Sequence, residues 1–366
     1  MLKSHGHDVT VLSQSLGSDS SFDHAGIKVC KLKMPFGSYR HLPWFILAFN
    51  SVIFRKLLSL HKQCKFDLID VPDHLAEGLF AVLYGKIPTV TRLHTPYSLL
   101  VHLKLNNYTK GLSYGLIKLF EKAALRCSTV LYSPSRNLVN LCREFLGVRG
   151  RVEIFGYPID LNVFSPRFGA PFDPNHVRIL FLGRLEQRKG IETIAEAFPV
   201  VCKNNPHVSL TLLGRDTPNI NGYTSARAYL TDKFQQGMCL DNVTFIDHVP
   251  LDELPDYLRN HDIIWVPSIF DNYPLVCIEA MACGKAVIAA DSGGVPELFA
   301  AGDTGVVFPA GRAEALAART LELCSDPARI SRIGEKARKF VEEKFSEEVI
   351  YRKTMELYRL ALEHAR

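Results

Sequence analysis

Two acidic residues bracket the segment with the clearest chemical potential. Asp271 and Glu279 lie eight positions apart on either side of a turn that leads into a predicted helix, with Pro274 where that helix would begin and Gly284 where it would end. A helix N-terminus presents unpaired N–H groups and partial positive charge, which suit a phosphate, while carboxylates accept hydrogen bonds from hydroxyl groups. These residue types favour a ligand that carries both phosphate and sugar.

A second candidate segment carries two cations. Arg184 and Lys189 lie in a glycine-containing turn after the apolar run 179–182, which predicts a buried strand. At the carboxyl end of that strand both side chains could bind one pyrophosphate, arginine as a fork and lysine as a point charge. Two cations in a loop are more often solvated surface groups. Their place in the same predicted sheet as the acidic segment favours the phosphate-binding interpretation.

Short apolar runs alternate with amphipathic runs along the chain, which is typical of βαβ units. In the first half we predict strands at 9–12, 66–71, 89–93, 129–132 and 151–154, with helices near 44–62, 74–84, 108–126 and 135–145. In the second half we predict strands at 177–182, 209–213, 243–246, 263–266, 286–289 and 306–308. The pattern therefore predicts an α/β protein with two doubly wound parallel sheets. Ligands of such sheets bind beyond the carboxyl ends of the strands, so the expected active site is a cleft between the two.

Composition suits a globular protein of two domains, since 47% of the 366 residues are hydrophobic. Nine cysteines are scattered without a CxxC pair, which favours buried thiols in a reducing compartment over disulfides or a zinc site. The polar start of the chain shows no signal peptide, and the apolar stretch 42–54 is interrupted and shorter than a membrane span. We therefore expect a cytoplasmic protein that does not cross the membrane.

The charge is unevenly divided between the two halves. Residues 1–175 contain 21 Lys and Arg against 12 Asp and Glu, whereas the second half is acidic. Cations mixed with aromatics such as Trp44 and Phe45 suit an anionic membrane surface, which favours peripheral contact at the inner face of the cytoplasmic membrane. The alternative is a solvated helix face with both aromatic residues in the core. Nucleic acid is not expected, because no recognition motif accompanies the charge.

These segments resemble the retaining nucleotide-sugar glycosyltransferases of the GT-B fold, family four. The family signature is an acid, seven residues and a glutamate, in a context like E-P-F-G-L-V-x-L-E-A-M-A-C-G-x-P-V, followed by G-G-x-P-E. Residues 271–297 are similar to it, and residues 183–190 match the phosphate clamp G-R-L-x-x-x-K-G. Weaker similarities occur at 6–12, 92–94 and 156–160. The resemblance covers nearly the full chain.

The resemblance implies a role for each matched residue. Glu279 would hold the ribose hydroxyls of the nucleotide, Asp271 would lie beside the donor sugar, and Arg184 and Lys189 would bind the diphosphate. The implied donor site also includes the segment between the two acids, namely Asn272, Tyr273, Pro274, Leu275 and Val276. His94 matches a first-domain histidine near the reacting centre, so the implied catalytic set is His94, Asp271, Arg184 and Lys189. The alternative for His94 is a histidine bonded to the backbone at a strand end.

The implied reaction moves a hexose from a nucleotide-diphosphate donor to a glycan or lipid-linked acceptor, in polysaccharide or glycoconjugate biosynthesis, with retention of configuration. Negative charge builds on the departing diphosphate, and cations together with a helix N-terminus would stabilise it. We therefore expect neither a metal ion nor a cofactor beyond the nucleotide sugar itself. Two enzyme alternatives on the same fold are an epimerase and a phosphorylase, of which the latter would need a pyridoxal cofactor.

The chain departs from the family pattern in two places. Family members begin with a strand and a glycine-rich loop, whereas this chain starts at Met1, within what should be the end of the first helix. We therefore expect that strand and loop to be missing, which leaves open a non-catalytic nucleotide-sugar-binding homologue. In addition, Asp271 stands where glutamate is common, which shortens the reach of the carboxylate by one methylene.

The resemblance also implies a division of the chain. We expect an N-terminal, acceptor-side Rossmann-like domain at 1–165 and a proline-rich linker at 166–176. A C-terminal nucleotide-sugar-binding domain would occupy 177–345, and a last helix at 346–366 would pack back toward the N-terminal domain.

Overall fold

The structure, a computed structural model, describes residues 1–34, 42–105, 112–166, 173, 176–299 and 303–364. Two units follow from the contacts within the chain: Met1–Gly156 with Ile350–Arg366, and Tyr157–Val349. Near the start of the second unit, Ile159 bridges to Ser346 and its N–H donates to the carbonyl of Phe345 (3.0 Å). The predicted domain boundary at residue 165 stays a prediction. Most of the predicted linker, 166–176, lies outside the described residues.

The first unit contains two sheets. Four parallel strands, in chain order, form one of them: β4 (Ile69–Pro72), β5 (Thr89–Arg92), β6 (Val130–Ser133) and β7 (Val152–Ile154). The other, of order β1-β3-β2, comprises β1 (Thr10–Ser15), β2 (Ser20–His24) and β3 (Ile27–Lys33).

The antiparallel pairing of β2 with β3 was absent from the sequence prediction, which placed only one strand in this region. Every residue of β2 is exposed, so this strand lacks the apolar face by which a strand is recognised. Its turn to β3 uses Ala25 and Gly26, both with positive φ (52° and 77°), as a tight hairpin requires.

The helices of the first unit cover the predicted helical patterns and add α3. They are α1 (Leu42–Cys64), α2 (Leu79–Tyr84), α3 (Tyr97–His102), α4 (Leu112–Cys127), α5 (Arg136–Leu146) and most of α13 (Glu347–His364). The pattern predicted near 74–84 divides into a 3-10 turn at His74–Ala76 and α2.

Helix α1 is longer than the apolar stretch that the sequence suggested. By length and composition alone it could cross a membrane from Pro43 to Cys64, a test that core helices of soluble proteins also pass. Phe45 and Phe49 are buried, and Asn50, also buried, donates to the carbonyl of Ala76 (3.1 Å). Trp44, in contrast, is 70% exposed, so only one of the two adjacent aromatic residues belongs to the core.

The second unit is built on one parallel sheet of six strands, in the order β12-β9-β8-β13-β14-β15. Its strands confirm all six predictions: β8 (Val177–Leu182), β9 (Val208–Leu213), β12 (Val243–Ile246), β13 (Ile263–Val266), β14 (Ala286–Asp291) and β15 (Val306–Pro309). A small hairpin, β10 (Pro218–Ile220) and β11 (Tyr223–Ser225), was not predicted.

The helices of the second unit alternate with these strands. They are α6 (Ile191–Asn204), α7 (Ala226–Gln236), α8 (Leu254–Arg259), α9 (Leu275–Ala282), α10 (Val295–Phe299), α11 (Ala313–Ser325) and α12 (Pro327–Phe345). Helices on both faces bury the central strands, as Trp265 and Phe181 show with at most 2% exposure. The α/β fold with parallel sheets in two units is therefore confirmed.

Candidate functional site

The strand order of the second sheet places one crevice at its centre. From β8 the chain proceeds outward through β9 and β12, and then returns to β13 on the other side of β8. This is the 3-2-1-4-5-6 order of doubly wound folds, in which ligands bind at the carboxyl ends of the strands where the order reverses. The turn after β8 carries the two predicted cations, and the turn after β13 carries the predicted acid. The topology thus brings together two segments that are far apart in sequence.

Glycine makes the close approach of these two turns possible. Gly190 has φ +77°, and a Cβ atom there would lie only 1.9 Å from the carbonyl oxygen of Pro267. The turns are also joined by the N–H of Ile269, which donates to the carbonyl of Arg188 (2.9 Å). The glycine that ends the predicted clamp is therefore required by backbone packing.

Lys189 and Asp271 form an ion pair in this crevice. The Nζ atom of Lys189 lies 2.6 Å from Oδ2 of Asp271, and the two side chains are 20% and 14% exposed. Because the pair is largely shielded from water, each charge holds the other in place more firmly than a surface pair would. Two of the predicted site residues therefore interact directly.

Arg184 lies in the same turn but takes no part in the Lys189–Asp271 ion pair. Its side chain is 63% exposed and pairs with Glu186 (3.2 Å), which also pairs with Arg188 (2.9 Å). Arg188 in addition donates to the carbonyl of Phe270 (3.2 Å), so it ties the basic turn to the acidic one. Sequence reasoning missed Glu186 and Arg188. The available sequence signal was the spacing, since Glu186 lies two residues from both Arg184 and Arg188 and can pair with either.

Helix α9 begins beside the ion pair. Its first residues, Leu275 and Val276, have N–H groups with no acceptor inside the helix, because the first intrahelical partners lie further along. A cavity of about 240 Å³ opens at this helix start. Its lining combines the ion pair and the start of α9 with the ends of β8 and β13: Phe181, Leu182, Lys189, Trp265, Val266, Ser268, Asp271, Tyr273, Pro274, Leu275 and Val276. Positive partial charge, one lysine and one carboxylate therefore share a cavity suited to a sugar phosphate.

The acidic turn is braced from behind by the G-G-x-P-E segment. Gly293 has φ +56°, and a Cβ atom there would lie 2.0 Å from the carbonyl oxygen of Asp271. The same carbonyl accepts a hydrogen bond from the N–H of Gly294 (3.1 Å), and Ser292 Oγ donates to the carbonyl of Ser268 (2.8 Å). The glycine pair thus sets the position of the Asp271 peptide.

Two further predicted residues in this turn are buried. Tyr273 lines the cavity and packs edge to face against Tyr157 (5.5 Å between ring centres) and Phe345 (6.2 Å), which fixes the position of its ring. Asn272 is 9% exposed. Both therefore anchor the turn in the second unit.

Glu279 lies on α9, outside the lining of this cavity. Burial raises the pKa of its carboxyl to about 7, and among the residues that the structure describes it has no hydrogen-bond partner. The Glu279 side chain is only partly buried, so its carboxyl oxygens can be reached by hydrogen-bond donors of a ligand. Glu279 is therefore available to accept bonds from hydroxyl groups.

His94 belongs to the first unit, at the carboxyl end of β5. Its backbone N–H donates to Oδ1 of Asp73 (2.9 Å). Burial, followed by the charge of Arg92, lowers the pKa of the His94 imidazole, which favours the neutral ring at physiological pH. In the described part of the chain no group of three or more His, Cys, Asp or Glu residues could hold a metal ion. The expectation of a metal-independent reaction stays a prediction.

Sequence comparisons cover both units. Residues 1–163 match the family Glycosyltransferase Family 4, and residues 166–340 match Glycosyl transferases group 1. The alpha-maltose-1-phosphate synthase of Mycolicibacterium smegmatis is 30% identical over 304 residues, which are 78% of this chain and 76% of that protein. The D-inositol 3-phosphate glycosyltransferase of Rhodococcus opacus is 30% identical over 227 residues, or 60% of this chain. That match spans 50% of the relative, so the chain aligns with about half the length of this group of relatives.

Solved structures show the same fold. The sucrose-phosphate synthase of Thermosynechococcus elongatus superposes with a TM-score of 0.81 at 23% identity, covering 98% of this chain and 90% of the other. HepE of Anabaena, in complex with UDP-glucose, gives a TM-score of 0.69 at 18% identity over 97% and 98% of the two chains. With the two family matches and the relative from Mycolicibacterium, this likeness shows that the chain belongs to the group 1, family 4 glycosyltransferases and has the GT-B fold.

Proposed function

We propose that this protein transfers a hexose from a nucleotide-diphosphate donor to a hydroxyl group of a glycan or lipid-linked acceptor, in polysaccharide or glycoconjugate biosynthesis. The observation that carries the proposal is the Lys189–Asp271 ion pair (2.6 Å) beside the N-terminus of α9. A cation, a carboxylate and a helix N-terminus in one cavity match the phosphate and hydroxyl groups of such a donor. The HepE neighbour, which was crystallised with UDP-glucose, supports a nucleotide sugar as the ligand.

In this proposal the donor exchanges partners with the ion pair. Its diphosphate takes Lys189 and the N–H groups of Leu275 and Val276, and the hydroxyl groups of the sugar take Asp271. Arg184, now 63% exposed, turns inward to the same diphosphate. Glu279 accepts bonds from the ribose hydroxyls. Each polar group then keeps a partner, so the exchange avoids the desolvation cost of an unpaired charge.

The same groups lower the barrier of the reaction. As the glycosidic bond to phosphate breaks, negative charge grows on the diphosphate and positive charge grows on the sugar ring. Lys189 and the dipole of α9 stabilise the negative charge on the diphosphate, and in this proposal they do so without a metal ion. We propose retention of configuration, as the family resemblance implies, with the acceptor hydroxyl attacking from the side of the leaving group. His94, in the first unit, is the proposed group near the reacting centre.

A thermal-shift screen against nucleoside diphosphates and their sugars tests donor binding. A ligand at 100 times its Kd stabilises the folded state by about 2.7 kcal/mol, so one base is expected to raise the Tm clearly above the others. The Asp271→Asn variant should keep its binding of nucleoside diphosphate but lose the additional shift given by the sugar. Asp252→Asn, at an exposed aspartate of the same unit, is the matched control.

Product analysis then separates the candidate reactions. Transfer yields a glycoside with the anomeric configuration of the donor, an epimerase yields an altered sugar nucleotide, and a phosphorylase yields a sugar phosphate. If no nucleotide or nucleotide sugar shifts the Tm, or if the Asp271→Asn variant equals wild type, the proposed function is wrong. Donor binding without any turnover would instead favour a binding homologue.

We also propose that the first unit contacts anionic membrane on the cytoplasmic side. The support is exposed apolar surface at Trp44 (70%), Leu116 (48%) and Leu119 (57%) in a basic half of the chain. Sedimentation at low salt should therefore be stronger with phosphatidylglycerol vesicles than with phosphatidylcholine vesicles, and weaker for Trp44→Ala. Equal sedimentation with both vesicle types would contradict the proposal.

A further inference from the structure

Glu121 is a fully buried carboxylate in the middle of α4 (0% exposed). It accepts four hydrogen bonds. Oε1 accepts from the N–H groups of Leu75 (3.1 Å) and Tyr97 (2.7 Å), and Oε2 accepts from the N–H (3.0 Å) and Oγ (2.5 Å) of Ser98. One side chain therefore ties together two backbone segments that follow different strands, β4 and β5.

Both segments have backbone N–H groups that need a hydrogen-bond acceptor from elsewhere in the chain. In the turn after β4, Leu75 and Ala76 have positive φ angles (52° and 49°), a conformation that is strained for residues other than glycine. Tyr97 and Ser98 open α3, a short helix whose preceding Pro96 provides no side-chain cap. Glu121 satisfies N–H groups of this helix start, as a capping residue would, and its negative charge suits the helix N-terminus.

The peptide that carries His94 lies between these two segments. The Oδ1 atom of Asp73 accepts from the N–H groups of His94 (2.9 Å) and Thr95 (3.4 Å), and the N–H of Asp73 donates to the carbonyl of Arg92 (3.0 Å). Asp73 begins the turn that Glu121 holds two residues later. The position of His94 is therefore set from both sides, directly by Asp73 and through Tyr97 by Glu121.

The two acids share one environment. Burial raises the pKa of Asp73 to about 8 and that of Glu121 to about 7, and the charge of Glu121 further raises the pKa of Asp73. Four donors stabilise an ionised Glu121, whereas Oδ2 of Asp73 is buried without a hydrogen-bond partner among the described residues. The hydrogen-bond geometry therefore favours the ionised form at Glu121 more than at Asp73.

We propose that Glu121 is a positioning residue for His94: its carboxylate holds the turn after β4 and the start of α3, and thereby sets the place of the His94 peptide. The significance for catalysis rests on the proposed function, in which His94 lies near the reacting centre. The positional claim itself concerns only the first unit and can be tested without any substrate.

The test compares Glu121→Gln with Glu144→Gln, at an exposed glutamate on the neighbouring helix α5. The carboxamide keeps the volume of the side chain, but its NH2 group faces backbone N–H groups in place of one acceptor oxygen. Hydrogen exchange followed by mass spectrometry should become at least tenfold faster in peptides that cover residues 73–78 and 94–99. Exchange in peptides from α9 should stay at the wild-type rate. The Glu144→Gln control should exchange at the wild-type rate in all of these peptides.

The imidazole of His94 provides a second readout that general destabilisation does not move. Burial lowers its pKa, so a displaced peptide should let the pKa rise toward 6.5 in an NMR titration of the histidine ring. In turnover assays with the nucleotide sugar from the thermal-shift screen, kcat should fall at least tenfold while KM for the donor stays within twofold.

Unchanged exchange and an unchanged His94 pKa in Glu121→Gln would overturn the proposal. Faster exchange spread over the whole first unit would also overturn it, because Glu121 would then support only global stability. If no nucleotide binds the wild-type protein, the proposed function fails, yet the exchange and titration results still decide the positional claim.

Discussion

The pKa of Glu279 leads to a pH dependence that can be worked out in detail. Burial raises this pKa from 4.5 to about 7 in the free protein. If ribose hydroxyls donate to its carboxylate, only the ionised form binds well. At pH 6 about a tenth of the molecules would carry that form, and at pH 8 about nine tenths. The apparent Kd of a nucleotide sugar should therefore be about tenfold weaker at pH 6 than at pH 8.

The same pKa shift affects the free energy of unfolding in the opposite direction: donor affinity rises with pH, whereas this contribution to folding stability falls. A carboxyl group whose pKa is raised by folding contributes its full stabilisation below about pH 4.5, and this contribution is lost as the pH rises through 7. Glu279→Gln cannot ionise, so at pH 8 the free variant should be more stable than wild type by roughly 2 kcal/mol. Its affinity for the donor should be lower and should no longer vary with pH.

Isothermal titration calorimetry can measure these effects with the nucleotide sugar that shifts the Tm most. A nucleotide sugar is preferable to a free nucleoside diphosphate, because both of its phosphates are esterified and do not titrate between pH 6 and 8. Titrations at pH 7 in buffers with different ionisation enthalpies should show that wild type releases about half a proton on binding, and that Glu279→Gln releases none.

Glu335→Gln, at an exposed glutamate on α12, is the matched control and should behave as wild type. The assignment of Glu279 to the ribose would be refuted by wild-type affinity that is constant from pH 6 to 8. Affinity of the Glu279→Gln variant equal to that of wild type would refute it as well.

Two substitutions test the geometry of the crevice. Gly293→Ala places a Cβ atom 2.0 Å from the carbonyl oxygen of Asp271, so it should lower the free energy of unfolding by more than about 2 kcal/mol in urea and weaken donor binding. Gly115→Ala, in open space on α4, should leave donor binding unchanged and stabilise by about 0.5 kcal/mol; equal effects of the two variants would contradict the close approach. Lys189→Met removes the 2.6 Å ion pair and a phosphate ligand, so calorimetry should show at least tenfold weaker binding of nucleoside diphosphate. Lys203→Met, at an exposed lysine on α6, should bind as wild type, and normal binding by Lys189→Met would exclude the proposed phosphate contact.

The sequence predicted the second unit better than the first, for a physical reason. Strands buried on both faces, such as Ile263–Val266, appear as continuous apolar runs, and glycines mark their ends. The exposed strand Ser20–His24 has no such signal, since its place in the sheet depends on pairing with Ile27–Lys33. Local sequence patterns reveal a buried strand through its apolar residues. They reveal an exposed strand only weakly, because its formation depends on pairing with another strand.

In the candidate site, too, local features could be predicted from the sequence, whereas contacts between distant residues could not. Residue types and spacing alone pointed to the acidic segment from Asp271 to Glu279 and to the basic turn with Lys189, because a helix start, its flanking acids and a glycine turn are all local features. The roles of Arg184 and Glu279 stay predictions, since the structure pairs the first with Glu186 and gives the second no partner among the described residues.

The amino-acid sequence by itself determined the parallel strands of the second unit, the two turns that carry charge and the start of α9. Only the tertiary structure decided that Lys189 pairs with Asp271, 82 residues away, and that Glu121 bonds to Leu75 across 46 residues. Strand order brings such residues together, and it results from the packing of the whole sheet. A side chain's neighbours in sequence do not reveal which distant backbone will offer it a hydrogen bond.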